Sequence, residues 1–219
     1  MIAVGRTVGQ GTAPAVGACG VREGRFRVEP PSDRHRYFPL TSRVMHGNAG
    51  KLWFGTWEAA FGYDGESFDI IGRDRMGRAD EPRDVGIRGY HMDSRGILWI
   101  ADNGKGVYAY DGKEVVHFTA VHKLRSEDVD GNSLDRAFAI SEDDDGNLWL
   151  GTAYSGVWRY APSKTDPIRK GTFTNFTKEH GMPCEGIRKI YKTRSGEMLF
   201  VGDPYGVYRF DGTSFKRAF

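Results

Sequence analysis

Side chains suited to holding a polar ligand recur at intervals of about one structural repeat along this 219-residue chain. Aromatic rings can stack on the faces of sugar rings, Asp and Asn can exchange hydrogen bonds with hydroxyl groups, and guanidinium groups bind carboxylate or sulfate. The residues of this kind that we expect at one binding surface are Arg43, Trp57, Arg88, Asp102, Asn103, Arg136, Tyr154, Arg188, Asp203 and Tyr205. The alternative for the four arginines is structural, since they could pair with acidic residues of adjoining loops and hold neighbouring repeats together.

One acidic loop has the alternating oxygen ligands of a calcium site. Its candidate ligands are Asp128, Asp130, Asn132 and Asp135. The distal bidentate Glu of such loops is missing, and acidic residues with Gly also make an ordinary soluble connection. We therefore predict no metal site and no cofactor.

Two histidines follow an arginine by three positions, and both are predicted on innermost strands of adjacent repeats. His46 and His91 could meet there, but Ala139 and Tyr191 are assigned to the same place in the other repeats, which leaves only two metal ligands. A hydrogen-bonded structural role is the interpretation we favour. No Ser-His-Asp order, activated Cys or carboxylate pair can be recognised by spacing, so no catalytic residue is assigned.

Composition excludes several classes of partner. Lys and Arg total 31 against 29 Asp and Glu, a balance that does not indicate nucleic acid or an anionic membrane surface as partner. No apolar run is long enough for a membrane span, and no signal peptide is visible near the start.

Cys19 and Cys184 lack a zinc-site spacing and are expected not to be bonded to one another.

The elements that must position these residues are repeated β-strands. The three-residue segments Leu52–Phe54, Leu98–Ile100, Leu148–Leu150 and Met198–Phe200 recur at steps of 46, 50 and 50 residues, and a glycine-containing turn precedes each one. A second strand with aromatic residues follows each copy, and in three repeats it runs into Asp-Gly, a hairpin signal. The strands are apolar on both faces, which is expected when each sheet is packed between two others.

This pattern predicts an all-β fold, a β-propeller of four complete four-stranded blades and a partial N-terminal blade. We predict one domain over residues 1–219, in which the partial blade covers 1–35 and the four complete blades cover 36–72, 86–119, 135–178 and 186–219. The sequence leaves open whether the blades close into a ring or form an open arc. The alternating strand direction places the candidate ligand-binding residues at one end of the sheets.

The segment Asp143–Thr152, followed by Gly156–Tyr160, resembles the two-component regulator propeller repeat. Departures occur at Ala101–Asp102, where Gly-Thr is usual, and at Leu199, where Trp is usual. The resemblance covers about residues 40–219 and implies a sensor propeller located outside the cytoplasm, in the periplasm or extracellular space, that responds to carbohydrates.

Three functions remain compatible with these observations. The first is a ligand-binding or sensor module that takes a carbohydrate, another small polar ligand or a partner protein. The second is an enzyme that resembles the streptogramin lyases, with His46, His91 or His180 as candidate catalytic residue. The third is a scaffold that binds other proteins through its faces without a small ligand.

Overall fold

The computed structural model describes residues 19–22, 25–28, 44–81, 86–182, 186–203 and 206–218. The chain divides into two compact units, Met1–Phe38 and Pro39–Phe219. In the first unit, strands β1 (Cys19–Arg22) and β2 (Arg25–Val28) form an antiparallel hairpin. Cys184 lies outside the described residues, so the expectation about the two cysteines stays a prediction.

The second unit contains four antiparallel sheets, each formed by four strands that are consecutive in the chain. Blade 1 contains β3 (Met45–His46), β4 (Leu52–Gly55), β5 (Ala60–Tyr63) and β6 (Phe68–Ile71). Blade 2 contains β7 (Ile87–Met92), β8 (Leu98–Asp102), β9 (Gly106–Tyr110) and β10 (Val115–His117). Blade 3 contains β11 (Ala137–Glu142), β12 (Leu148–Thr152), β13 (Val157–Pro162) and β14 (Gly171–Phe176). Blade 4 contains β15 (Gly186–Lys192), β16 (Met198–Asp203), β17 (Gly206–Phe210) and β18 (Phe215–Arg217).

Helical structure in the described residues is limited to short connections. They are the α-helical turn α1 (Phe118–Val121) and two 3₁₀ turns, Asn48–Gly50 and Lys178–His180. The first strands of the blades contact one another in chain order, β3 with β7, β7 with β11 and β11 with β15. The four blades therefore follow each other as an arc of a β-propeller, as the repeat pattern predicts, with the first strand of each blade innermost.

The core is divided into layers between successive blades. Along each second strand, alternate residues face the preceding blade and the following blade. Leu98 and Ile100 belong to the cluster shared with blade 1, whereas Trp99 and Ala101 belong to the cluster shared with blade 3. Trp149 joins the cluster with blade 4 in the same way. This alternation is the reason for strands that are apolar on both faces.

The repeated tryptophans occupy equivalent buried positions, as predicted. Trp53, Trp99 and Trp149 are 4%, 0% and 2% exposed, and each pairs with the residue at the same place on its innermost strand. The indole N–H of Trp99 donates to Asp93 Oδ2 at 2.9 Å, and that of Trp149 donates to Asp143 Oδ2 at 2.8 Å. A buried indole N–H needs such an acceptor, so the turn Asp and the strand Trp form one structural unit.

The two ends of the blades differ in construction. At one end, which we call the hairpin end, lie the turns that join the first to the second strand, at 93–96, 143–146 and 193–196. At the other end, which we call the bulge end, lie the loops between the second and third strands and the connections between blades. Those residues predicted to bind a ligand that the structure describes belong to the bulge end.

Candidate ligand-binding surface

A β-bulge recurs at the same place on three innermost strands. The register shifts between Ile87 and Gly89, between Ala137 and Ala139, and between Ile187 and Lys189. The extra residues are Arg88, Phe138 and Arg188. A bulge leaves one residue unpaired and turns its side chain away from the regular alternation. Three successive blades thus present an arginine, an aromatic ring and an arginine at one position.

The three bulge residues and Trp57 form a continuous stack, which we call the bulge ladder. The guanidinium carbon of Arg88 lies 3.7 Å from the centre of the Trp57 ring and 5.6 Å from that of Phe138. The guanidinium carbon of Arg188 lies 4.4 Å from the centre of the Phe138 ring. These distances are within the range of cation–π attraction, so the rings hold both cations in place. The ladder runs from the loop of blade 1 to the first strand of blade 4.

The positive charge of Arg88 lies in an unfavourable environment, since it is partly buried and close to the positive charge of Arg188. Burial, followed by the charge of Arg188, lowers the pKa of Arg88 from its usual value. Among the described residues, no carboxylate forms an ion pair with Arg88, and its buried Nε has no hydrogen-bond acceptor. A buried donor without a partner is costly. The arrangement therefore favours an anion that could accept from Arg88 and offset the repulsion between the two guanidinium groups.

Asp102, one of the two acidic residues predicted for this surface, is engaged in an ion pair elsewhere. Asp102 is 1% exposed, and its Oδ2 accepts from Arg78 Nη1 at 2.6 Å in a buried ion pair. Arg78 also pairs with Glu81 through Nε at 2.9 Å. Asp102 thus holds the connection between blades 1 and 2 rather than facing solvent.

The neighbouring Asn103 lies at the junction of blades 2 and 3. It forms an isolated β-bridge with Arg136, and its N–H donates to the Gly86 carbonyl at 3.2 Å. The side chain is 6% exposed, and within the described part of the chain its Oδ1 has no donor. Asn103 therefore offers an unused acceptor at the bulge end.

Arg136 and Tyr154 form a separate pair at the same end. The guanidinium carbon of Arg136 lies 5.6 Å from the ring centre of Tyr154, which is 62% exposed. Arg136 precedes the bulge of blade 3 by two residues, so it does not join the ladder. Arg43, the Asp203 side chain and Tyr205 lie outside the described residues.

Phe138 is the ladder residue that the sequence interpretation missed. The sequence predicts an arginine at the start of each innermost strand, which is Arg136 in blade 3. A constant spacing would have identified Phe138, because Arg88, Phe138 and Arg188 each precede the key residue of the second strand (Trp99, Trp149 or Leu199) by eleven positions. The bulge itself leaves no other obvious mark in the sequence.

The cavity beside the ladder is small. It is lined by Trp57, Glu58, Arg73, Met76, Arg78, Ile87 and Asp102 and encloses about 20 Å³. A volume of this size holds about one water molecule. The ladder is therefore a surface feature, and a ligand would rest on it rather than enter a deep pocket.

The pairing register of the strands shows that His46 and His91 do not occupy equivalent positions, contrary to the prediction. His91 pairs with Trp99, whereas His46 pairs with Leu52, so the two lie one register step apart and project to opposite faces of their sheets. The residues equivalent to His91 are Met45, Ser141 and Tyr191, and Ala139 is instead equivalent to Gly89. His180 forms a capping box with Thr177. These placements give each histidine a separate environment.

The acidic loop turns its side chains to different partners. Asp135 Oδ2 accepts from the Ser126 N–H at 2.7 Å, Asp128 Oδ2 accepts from the Arg125 N–H at 3.3 Å, and the Asn132 amide donates to Asn175 Oδ1 at 2.7 Å. In the part of the chain that the structure describes, no group of three or more His, Cys, Asp or Glu side chains is placed to hold a metal ion.

None of the described helices has the length and apolar character to span a membrane.

Comparison with known proteins gives one family match. The family model described as "Two component regulator propeller" matches residues 133–154, which include the blade 3 bulge and Trp149. No curated protein sequence matches the chain significantly.

Solved structures resemble the chain over most of its length. The extracellular domain of a B. thetaiotaomicron protein described as a hybrid two component system is 18% identical, with a TM-score of 0.58 over 90% of this chain and 25% of that one. The extracellular domain of a second B. thetaiotaomicron protein, described as a one component system, is 17% identical, with a TM-score of 0.56 over 82% of this chain and 21% of that one.

A third similar structure is PorZ, described as a surface component of the type-IX secretion system of Porphyromonas gingivalis. It is 16% identical, with a TM-score of 0.53 over 93% of this chain and 30% of that one. The chain thus spans at most about a third of these proteins, and at such identities the likeness establishes the fold. The chain carries a repeat of the two-component regulator propeller family, and its fold is shared with extracellular domains of one- and two-component systems.

Proposed function

We propose that this chain is a ligand-binding module of an extracellular or periplasmic sensor, and that its ligand is a small polar molecule with a carboxylate or sulfate group. The observation that carries the proposal is the bulge ladder, where Arg88 and Arg188 flank Phe138. The sensor role is inferred from the likeness to extracellular domains of one- and two-component systems.

The ladder favours an anionic ligand over a neutral sugar because its aromatic faces are already covered. Arg88 lies over Trp57 at 3.7 Å, and Phe138 lies between two guanidinium groups. A sugar ring would have to displace these cations to stack on either ring. A carboxylate or sulfate can instead accept hydrogen bonds from the guanidinium edges, including the buried Nε of Arg88.

The acceptor oxygen of Asn103 lies at the same end of the blades as the ladder. Asn103 Oδ1 could accept a hydrogen bond from a hydroxyl group of the ligand. A sugar acid combines an anionic group with hydroxyl groups. We therefore propose sugar acids as the first ligand class, in agreement with the carbohydrate expected from the family resemblance.

The test compares two sugars that differ at one carbon, which is a carboxylate in glucuronate and a hydroxymethyl group in glucose. Isothermal titration with glucuronate and with glucose at low ionic strength should show at least about tenfold tighter binding of glucuronate, because a hydrogen bond to a charged group contributes about 1.5–3 kcal/mol. Added salt should weaken the binding of glucuronate. Equal binding of the two sugars, or no binding of either sugar or of inorganic sulfate, would contradict an anion site.

Variants locate the binding on the ladder. Arg88→Met and Arg188→Met should each reduce the affinity for glucuronate at least about tenfold, since each removes a charge-assisted contact. Arg136→Met is the matched control, because this arginine lies at the same end and stacks on Tyr154 but is not part of the ladder. Loss of binding in the control alone would place the ligand elsewhere.

A further inference from the structure

Two neighbouring junctions at the bulge end share their backbone contacts but exchange a large side chain for a small one. Trp57 and Asn103 occupy the same place in the loops of blades 1 and 2, since they lie 46 positions apart, which is the step between these two repeats. The Trp57 carbonyl oxygen accepts from the Ile87 N–H at 2.8 Å, and Asn103 forms a β-bridge with Arg136. Each loop residue thus contacts the start of the innermost strand of the following blade.

Gly86 and Arg136 occupy the facing place in blades 2 and 3. Each lies two positions before the bulge residue of its innermost strand. The Gly86 carbonyl oxygen accepts from the Asn103 N–H at 3.2 Å, and that of Arg136 accepts from the Ala153 N–H at 2.9 Å. Because blade 3 carries an exposed arginine at this place, the repeat itself tolerates a side chain there. A different feature must explain the glycine of blade 2.

The feature that takes the room beside Gly86 is the ring of Trp57. A Cβ atom on Gly86 would overlap the Nε1, Cδ1 and Cε2 atoms of that ring, so the indole lies directly against the buried Gly86 backbone. Glycine is the residue that allows such a close approach to the backbone. The guanidinium carbon of Arg88 lies 3.7 Å from the centre of the same ring. Gly86 and Arg88, two positions apart in the chain, therefore share Trp57 as a neighbour.

We propose that Gly86 is a positioning residue of the bulge ladder, which fixes the Trp57 ring and through it the guanidinium group that receives the anion. A long cationic side chain loses conformational freedom when it binds, and an aromatic support that already orders it lowers this cost. At the next junction the loop residue is Asn103 and the bulge residue is Phe138, which carries no charge to support. The inference rests on the proposed function, in which Arg88 binds the anionic group of the ligand.

Gly86→Ala tests the inference by adding one methyl group beside the ring. The variant should weaken the binding of glucuronate by at least about threefold, and by no more than Arg88→Met does, because the guanidinium group is displaced but not removed. Glu142→Ala is the control for loss of stability, since it removes a buried acceptor at the hairpin end and should leave the affinity unchanged. Isothermal titration measures the affinities, and circular dichroism melting measures the stability.

Trp57→Asn, which gives blade 1 the loop residue of blade 2, separates an action through the ring from a general effect on folding. Adding Gly86→Ala to Trp57→Asn should cause no further loss of affinity or of melting temperature, because no ring is left to displace. If Gly86→Ala folds only in the Trp57→Asn background, the ring is the obstacle, as proposed. An equal loss in both backgrounds, a Gly86→Ala variant unfolded in both, or a single Gly86→Ala variant with wild-type affinity would overturn the proposal.

The Nε–H resonance of Arg88, identified by its loss in Arg88→Met, distinguishes a failure of this inference from a failure of the proposed function. In the ligand-free protein, Gly86→Ala should shift this resonance when Trp57 is present and leave it in place in the Trp57→Asn background, because the ring current of Trp57 acts on it. This outcome without any binding of glucuronate would support the positioning role and contradict the ligand. A wild type that binds glucuronate, with an unmoved Arg88 resonance in Gly86→Ala, would contradict the positioning role alone.

Discussion

The hairpin end and the bulge end of the blades differ in whether the buried polar groups at Glu142 and at Arg88 have hydrogen-bond partners. At the hairpin end, Glu142 is 7% exposed and accepts from the Ser94 N–H at 2.7 Å, the Ser94 hydroxyl at 2.7 Å and Arg95 at 3.1 Å. At the bulge end, Arg88 has a buried donor without an acceptor in the described residues. Satisfied groups specify a fold, whereas unsatisfied groups at a recurrent bulge are suited to a ligand.

The largest difference should appear between two tryptophans, one from each end. Trp99→Ala should lower the free energy of unfolding by about 3–5 kcal/mol, because it leaves a cavity in a fully buried site. Trp57→Ala should cost markedly less, since Trp57 is only partly buried. Urea denaturation followed by circular dichroism measures both. Equal losses would mean that the bulge end is as important to folding as the core.

A smaller effect is expected for the acceptor that joins blades 2 and 3. Glu142→Ala leaves the N–H and hydroxyl of Ser94 without their acceptor, which should cost about 1–3 kcal/mol. The control is Glu197→Ala, which removes a more exposed carboxylate whose ion pair with Arg209 is 3.6 Å long and should change stability by less than about 0.5 kcal/mol. The same urea experiment compares them, and an unchanged Glu142 variant would contradict this role.

His117 should add a modest pH dependence near the bulge end. Burial lowers the pKa of His117, and its Nε2 lies 2.7 Å from the Lys105 carbonyl oxygen. A lowered pKa in the folded state means that folding favours the neutral ring, so stability is lost as the pH falls below about 6.5, the value of an unfolded His. His117→Gln should lose less stability than the wild type between about pH 7 and pH 5. An identical pH profile of thermal melting would contradict this assignment.

The smallest effect on stability should come from the ladder itself. Arg88→Met removes a charge that is partly desolvated and repelled by Arg188, and we expect its unfolding free energy to remain within about 0.5 kcal/mol of the wild type. Thermal and urea denaturation measure the change. A large loss of stability would show that Arg88 holds blades together, as the structural alternative for these arginines requires.

The sequence was sufficient for the repeats because burial on both faces leaves a clear pattern. The recurrence of Leu-Trp-Ile and related segments predicted the second strands, and the turn Asp before each buried Trp is visible at a fixed spacing, as in Asp143 and Trp149. The blade order follows directly, since consecutive strands pair within each sheet. The assignment of residues 1–35 to a partial blade of the same domain stays a prediction.

The candidate surface was less predictable because it depends on register. A bulge adds one residue, so the side chain that projects at the end of an innermost strand cannot be found by alternation alone. The sequence predicts Arg88 and Arg188 for this surface and Arg136 for blade 3, whereas the residue that stacks between Arg88 and Arg188 is Phe138. The ion pair of Asp102 could not be predicted from the sequence either. Its partner Arg78 lies in the connection between two blades, 24 positions earlier.

The most direct test of the ladder as the ligand site is the Nε–H resonance of Arg88 in a proton–nitrogen NMR spectrum. Its assignment follows from its loss in Arg88→Met. On titration with glucuronate, we expect this resonance to shift as its buried donor gains an acceptor, while the Nε–H resonance of Arg136 stays in place. A shift at Arg136 with none at Arg88 would contradict the assignment of the ligand to the bulge ladder.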